Sequence, residues 1–474
     1  MRKTRIICTL GPATATMEKM KALIEAGLNV ARFNFSHGDH ESHKEMADKF
    51  KQAAKEMDSP VALLLDTKGP EIRIKTFKEG RAELEKGKTF TLTSNEVEGT
   101  ESIVSVTYPG LAEDVRVGGI ILLDDGLVEL KVESTTATDV VCTVMNSGVI
   151  KDKKGVNLPD VSVKLPALTE KDISDIKFAI REDFHFIAAS FIRSADDVRQ
   201  IRKVLRENGG GHIQIMSKIE NHEGVKNADE IIEESDSIMV ARGDLGVEIN
   251  PEEVPIVQKN LIKKANRAGK PVVTATQMLE SMITKPRPTR AEANDVANAI
   301  FDGTDAIMLS GETANGEYPT EAVTMMARIS QKAEESIEYY KNIRSQNEGR
   351  ISPTDAISYA TSHITQDIEA SGILTLTTSG FTARMVSKFR PFAPIITITP
   401  NEIVYRQMSL VWGAIPILVV EAESKRELLE MSVAAAVEKT SLKEGDVIVI
   451  VSGMPLGVSG TTNNVRVHVI GGRL

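Results

Sequence analysis

Short apolar runs separated by helical segments constrain this chain more than any other feature. Residues 5–10, 29–35 and 61–66 read as strands, with helical spacing over 16–26 and a polar amphipathic helix over 39–56. The rhythm stops at Thr67-Lys68-Gly69-Pro70 and resumes after Pro166. Thr169 there has the chemistry of a helix N-cap, and Asp172 takes the capping-box place three residues on. Further strands are predicted at 184–190, 213–219, 237–241, 271–275 and 306–309. Adjacent parallel strands need a long crossover, usually a helix, so this alternation predicts a parallel sheet. Eight such strands are the number that closes a (β/α)8 TIM barrel.

The interruption has a different pattern. Between residues 70 and 166 there are β-type runs at 89–93, 103–107, 120–123, 127–132 and 140–145, and no convincing helix. Asp124-Asp125-Gly126 supplies a hairpin turn. The segment reads as an inserted, β-barrel-like lid domain, entered and left through Pro- and Gly-containing stretches about which it could move. A polar linker is expected near 342–352. Residues 353–474 then form another α/β unit, with a helix over 354–371 and strands at 373–377, 394–399, 416–420, 446–451 and 465–470. The predicted fold class is α/β: barrel over 1–69 and 167–342, lid over 70–166, and a C-terminal α/β domain over 353–474.

Composition narrows the partners. A net charge of −10 argues against nucleic acid, whose binding surfaces are basic. Cys8 and Cys142 are far apart and lack metal-type spacing, so neither a disulfide framework nor a zinc ribbon is expected. The basic start, Met1-Arg2-Lys3-Thr4-Arg5, leads into a strand too short for a signal-peptide core, and no apolar run reaches membrane-span length. A cytoplasmic protein without membrane association is expected. No G-x-x-x-x-G-K-[ST] is present, so any nucleotide phosphates must be held by other means.

The predicted strand ends carry polar residues at six of the eight positions: Arg32, Asn34, Ser36 and His37; Asp66 and Thr67; Lys218 and Glu220; Asp244; Thr276 and Gln277; Ser310 and Glu312. The C-terminal ends of barrel strands are where chemistry is placed. Lys218 and Glu220 stand two apart on one strand, which puts an ammonium and a carboxylate on one face. Asp244, on the Gly-flanked turn after the next strand, adds a second carboxylate. Two carboxylates beside a lysine suit a divalent cation next to an anionic substrate. His37, His40 and His43 recur every third residue, but in a charged helix start, and read as solvated side chains rather than zinc ligands.

The stretch 213–225, Ile-Gln-Ile-Met-Ser-Lys-Ile-Glu-Asn-His-Glu-Gly-Val, resembles the active-site signature of the pyruvate kinase family, and 239–248 resembles that family's second metal-binding segment. Supporting motifs are Asn34-Phe35-Ser36-His37-Gly38, Asp66-Thr67-Lys68-Gly69-Pro70-Glu71-Ile72-Arg73, Lys154-Gly155-Val156-Asn157-Leu158-Pro159, Ala275-Thr276-Gln277-Met278-Leu279 and Met308-Leu309-Ser310-Gly311-Glu312. The likeness covers essentially the whole chain. It implies transfer of a phosphoryl group from phosphoenolpyruvate to ADP, giving pyruvate and ATP. By the resemblance, Glu220 and Asp244 bind Mg2+ or Mn2+, and Lys218 stabilises the transferring phosphoryl group. Arg32 holds the substrate phosphate, and Gly243, Asp244 and Thr276 hold its carboxylate. Asn34, His37, Arg73 and Lys154 are implied in nucleotide binding. Asn34, Ser36, Asp66 and Thr67 are implied as K+ ligands, with Glu71 the residue type that accompanies potassium dependence. Thr276 and Ser310 are implied in returning a proton to the enolate.

In the C-terminal domain Thr377-Thr378-Ser379-Gly380-Phe381-Thr382 crosses from a strand to a helix, where hydroxyls and amides can cradle a phosphate or simply cap the helix. The resemblance favours a sugar-phosphate or nucleotide effector at Thr377, Ser379 and Thr382, together with the loop 452–462, and assembly as a homotetramer. Two departures touch the lid hinge: Asp160 replaces a common Gly, and Ile74-Lys75 replace a common Thr-Gly. A metal-dependent aldolase working through a pyruvate enolate, and an idle sugar-phosphate sensor, are the competing readings. Lys154 on the lid speaks against the first, and the intact set Lys218, Glu220, Asp244 and Thr276 against the second.

Overall fold

The computed structural model describes residues 2–159, 161–337, 352–422, 424–454 and 460–473. Eight parallel strands close into a barrel in the order Arg5–Thr9, Ala306–Leu309, Val272–Ala275, Ser237–Ala241, Gln214–Ile219, Phe186–Ala189, Ala62–Asp66 and Val30–Asn34. Each strand lies within or at the edge of a predicted run. The pleat explains why the runs look uniformly apolar. Leu64 faces the barrel interior, packed with Ile7, Val30, Phe186, Met216, Met239 and Met308, while Leu63 and Leu65 face the helices. Both faces are buried, so the alternation that marks a half-exposed strand is lost. Thr169 and Asp172 form the reciprocal capping box foreseen for the first helix after the insertion, Glu170–Arg181.

Residues between the third and fourth barrel strands form a six-stranded sheet, in the order Val156–Asn157, Ile120–Leu123, Val128–Thr135, Asp139–Val144, Thr89–Thr93, Ile103–Ser105. A two-stranded sheet of Gly148–Lys151 and Arg81–Leu84 accompanies it. Three of these strands, Arg81–Leu84, Gly148–Lys151 and Val156–Asn157, have no counterpart in the sequence reading. Each carries at most two buried side chains, too few to register as a run. One short helical turn, Leu111–Asp114, lies where no helix was expected.

The C-terminal sheet runs Ala414–Leu418, Ile395–Thr399, Gly372–Leu376, Val447–Gly453, Thr462–Val469, with the last strand antiparallel at the edge. The first of these lies two residues earlier than predicted, because Val420, apolar in sequence, is left exposed beyond the strand. The expected linker falls almost wholly outside the described residues, as does Asp160.

The C-terminal unit completes the barrel floor. Leu410, on the turn Met408–Leu410, belongs to the same apolar cluster as the barrel-interior side chains and is 1% exposed. Polar contacts fix it there. Arg5 Nε donates to Val411 O at 2.8 Å, and Gln407 Nε2 donates to His212 O at 2.8 Å. The buried Arg390 guanidinium donates to Asp305 Oδ1, Asn266 Oδ1 and Gly303 O, each at 2.7 Å. With the floor sealed, the open end is the one where the strands terminate.

Candidate active site at the barrel mouth

Five barrel strands contribute to one connected cluster. Lys218, near the end of the fifth strand, places its Nζ 3.1 Å from Asp66 Oδ1, 2.8 Å from Ser190 Oγ and 2.9 Å from Glu220 Oε1. Asp66 uses its other oxygen to accept from Arg32 Nε at 2.6 Å, and Arg32 Nη1 donates to Thr9 Oγ1 at 2.8 Å. Glu220 Oε2 accepts from the Phe191 N–H at 2.6 Å. Phe191 sits at φ +57°, a left-handed conformation that a bulky residue adopts only under constraint.

Burial governs the charges. Asp66 lies well below the ordinary carboxylate range: burial would raise it, but Arg32 and Lys218 more than reverse that. Burial would likewise lower Lys218, and Asp66 followed by Glu220 raise it above its ordinary value, so it stays an ammonium. Glu220, with no solvent exposure, is pushed up to about 7 by burial, with Asp244 adding to the rise and Lys218 opposing it. Lys218 and Glu220 pull in opposite senses for an ion pair. Asp66 is the main counter-charge of Lys218, and Glu220 is left under-neutralised. Its Oε1 is buried and completes no hydrogen bond.

That oxygen, buried with only the Lys218 ammonium 2.9 Å away and no completed hydrogen bond, is the structural test of a metal at this place. Asp244 is exposed toward the cleft and has no hydrogen bond or ion pair among the described residues. Among those residues no three His, Cys, Asp or Glu side chains gather into a cage for an ion. Two carboxylates without a full cage fit a hard divalent ion that draws its other oxygens from substrate and water. The histidines are used otherwise: His40 Nε2 lies 2.8 Å from Asp175, and His43 Nε2 lies 2.8 Å from His37 O.

After the sixth strand the helix Arg242–Glu248 begins one residue before Gly243. The Gly243 N–H is not free, since it donates to Thr276 Oγ1 at 2.7 Å, and Thr276 Oγ1 donates to Ala275 O at 2.6 Å. Thr276 at φ +67° is a β-branched residue in the left-handed region, strain held by packing at the end of the seventh strand. Arg242 Nη2 grips Thr276 O at 2.6 Å while its Nη1 pairs with Asp295. Ser310 follows the eighth strand, its N–H donating to the Glu312 carboxylate at 2.8 Å.

A cleft of about 580 Å3 runs between the mouth and the insertion, lined in part by Arg73, Asp124, Lys154, Phe191 and Asp244. Lys154 Nζ pairs with Asp124 at 2.8 Å, and Arg73 pairs with Glu71 at 2.6 Å. Asn34 Oδ1 accepts from the Ser36 N–H at 3.1 Å, and Ser36 and His37 are exposed beside it. Thr67 is buried next to Asp66. The residues expected to hold an effector lie in the C-terminal unit, away from this mouth: Thr377 and Ser379 follow the strand Gly372–Leu376, and Thr382 is in the helix Phe381–Ser387. Thr382 Oγ1 lies 3.0 Å from Thr462 Oγ1, and Ser379 O accepts from Arg384. Part of the partner loop, 455–459, is outside the described residues.

Sequence reading missed Ser190, Phe191 and Asp124. Ser190 follows the fourth strand, one of the two barrel strands whose ends carry no polar cluster in the sequence, and a lone serine carries no signal. Asp124 has only the signal of a turn residue in the sequence, and its place at the cleft comes from its pairing with Lys154.

Comparison with known proteins bears on this geometry. The families described as "Pyruvate kinase, barrel domain" and "Pyruvate kinase, alpha/beta domain" match residues 1–323 and 355–468. The pyruvate kinase of Geobacillus stearothermophilus is 53% identical over 473 residues, covering 99% of this chain and 80% of that protein. That of Clostridium acetobutylicum is also 53% identical over 473 residues, covering 99% of this chain and all of its own. A crystal structure of a pyruvate kinase from Cryptosporidium parvum superposes with a TM-score of 0.94 at 40% identity, covering 99% of this chain and 96% of that one.

Proposed function

The chain belongs to the pyruvate kinase family, and from that membership we propose which of its residues move a phosphoryl group from phosphoenolpyruvate to ADP. The reaction, with pyruvate and ATP as products, follows from the family. The aldolase and idle-sensor readings fall with it.

One observation supports the assignment of roles: the buried Lys218 ammonium, held by Asp66, Ser190 and Glu220 within 3.1 Å. Phosphoryl transfer asks a protein for alignment and charge neutralisation rather than covalent help. Lys218 supplies a fixed positive charge for the migrating phosphoryl oxygens, and Arg32, squared up by Asp66 and Thr9, supplies a second. Neither has to reorganise at the moment of transfer. When bound, a divalent ion at Glu220 and Asp244 would neutralise charge on phosphoryl and enolate oxygens, and K+ at Asn34, Ser36, Asp66 and Thr67 would add a fixed monovalent charge. Thr276, with Gly243 and Asp244, orients the substrate carboxylate. Thr276 and Ser310 are the hydroxyls proposed to pass a proton to the enolate carbon. Arg73 and Lys154 receive the nucleotide as the insertion, residues 70–166, closes over the barrel, residues 1–69 and 167–342.

The same reading extends to regulation. A sugar-phosphate or nucleotide effector would use Thr377, Ser379 and Thr382 in the C-terminal unit, residues 353–474. A cytoplasmic location agrees with the lack, among the described residues, of any helix long and apolar enough to cross a membrane. A homotetramer is proposed on family grounds. Exposed Val467 and Val469 on the sheet-edge strand Thr462–Val469 are compatible surfaces for it.

The test is a coupled assay for pyruvate from phosphoenolpyruvate and ADP, with and without Mg2+, K+ and candidate sugar phosphates. Dependence on both cations is expected. Full turnover with both cations removed would overturn the metal and potassium assignments.

A further inference from the structure

The corner Ser190-Phe191, at the end of the fourth barrel strand, touches Thr67, Lys218 and Glu220 at once. Ser190 is 4% exposed. Its Oγ accepts from Lys218 Nζ at 2.8 Å and donates to Thr67 O at 2.7 Å. The Ser190 N–H donates to Thr67 Oγ1 at 3.2 Å. The next N–H, on Phe191, holds Glu220. Gly69 packs so closely that a Cβ there would come within 2.8 Å of Ser190 Cβ, so position 69 has no room for a side chain beside the serine. One hydroxyl therefore joins the backbone of residue 67 to the lysine ammonium, its single proton having the Thr67 carbonyl at 2.7 Å as the nearer acceptor and Asp66 Oδ1 at 3.4 Å as the farther one.

We infer that Ser190 is a positioning residue that couples occupancy of the monovalent-cation site to the placement of Lys218. This rests on the reading of Asp66 and Thr67 as that site. A cation drawing on the oxygens around Thr67 fixes the carbonyl that orients the Ser190 hydroxyl. The hydroxyl's lone pair then holds Nζ where the phosphoryl group passes. Asp66, which touches Lys218 directly, is a second connection, so removing Ser190 weakens the coupling without abolishing it. Because such coupling is reciprocal, phosphoenolpyruvate must also tighten K+ binding through the same contact.

The experiment measures binding rather than turnover. Calorimetric titration of phosphoenolpyruvate into the Mg2+-loaded enzyme, without ADP, is run in K+ and in tetramethylammonium, for wild type and Ser190→Ala. In wild type, K+ should tighten phosphoenolpyruvate. In Ser190→Ala that K+-induced tightening should shrink about five-fold, the lower end of ordinary site–site coupling. Turnover should drop about ten- to a hundred-fold, the range for losing a hydrogen bond to a charged group, with KM for ADP unchanged. Ser190→Cys, which keeps a side chain of similar shape with a weak donor and acceptor, is the second variant if Ala fails to fold, and should show the same loss. An identical K+ response in wild type and in the folded variant overturns the inference and leaves the cation site standing. Absence of any K+ response in wild type overturns both.

Discussion

Asp66 Oδ1 stands 3.1 Å from Lys218 Nζ, although 152 residues separate them in the chain. The two strands are not neighbours, since Phe186–Ala189 lies between them, and the contact spans the mouth of the barrel above it. Asp66 also fixes Arg32, so one carboxylate orients both basic side chains proposed to hold the phosphoryl group. Lys218 is thereby kept charged in a buried place where an unpaired ammonium would lose its proton.

Replacing Lys218 with Met should lower kcat by about 10²–10³ or more, the scale for removing one preorganised charge donor. It also leaves Asp66 and Glu220 less compensated, so the melting temperature should fall as well. A steady-state pyruvate assay beside a thermal scan checks both. Near-normal turnover would remove Lys218 from its role.

Glu220, pushed up to about 7, is proposed as a divalent-ion ligand and could serve only as the carboxylate. Protons therefore compete with the metal: affinity should be full above about pH 7 and weaken about ten-fold per unit below it. Metal titrations of the substrate-free enzyme from pH 8 to about pH 5.5 give the slope. Affinity flat across that range would contradict an ionisable ligand in this pocket.

Glu71 pairs with Arg73 at 2.6 Å and lies 3.8 Å from Lys68 Nζ. Changing Glu71→Lys places a fixed positive charge four residues along the chain from Thr67, one of the proposed potassium ligands. Activity in tetramethylammonium buffer should rise toward the K+-saturated rate, while wild type stays K+-dependent. An unchanged K+ requirement in the variant would separate Glu71 from the cation site.

His185 lies under the barrel, held neutral by burial, with its protonation lowered to about pH 3, and its Nδ1 accepts from the Leu63 N–H. The unfolded chain takes up this proton near pH 6.5, so stability should fall as pH drops from 6.5 toward 3. His185→Gln keeps an acceptor but cannot titrate. Its stability should lose about 1.4 kcal/mol less per pH unit in that window, read from denaturant melts.

Much of this was legible because barrel strands buried on both faces leave uninterrupted apolar runs, and their polar terminators mark the mouth. Lys218, Glu220, Asp66 and Arg32 were found that way, and the structure joins them. What stayed hidden depends on contacts between distant strands. Nothing local distinguishes Ser190 from any serine at a strand end until Lys218 and Thr67 are seen on either side of it. The Gly243 N–H is engaged by Thr276, which arrives from another strand in a strained conformation that no propensity foretells. In the insertion, the strands Arg81–Leu84 and Gly148–Lys151 exist because they pair with each other, not because either run is apolar enough alone.

Leu410 gives a further measurable handle. Leu410→Ala should open a cavity in the barrel floor and cost about 2–5 kcal/mol, seen as an earlier denaturant midpoint. The chemistry lies at the opposite end, so kcat at low temperature should stay within about two-fold of wild type.

The position of that leucine also sets an order of events during synthesis. All eight barrel strands have been synthesised by residue 309, yet the last side chain of their common interior is added about a hundred residues later. Until it docks, the nascent barrel has an open, greasy base. That interval, rather than the finished enzyme, is when the chain is most exposed to aggregation and most in need of a chaperone.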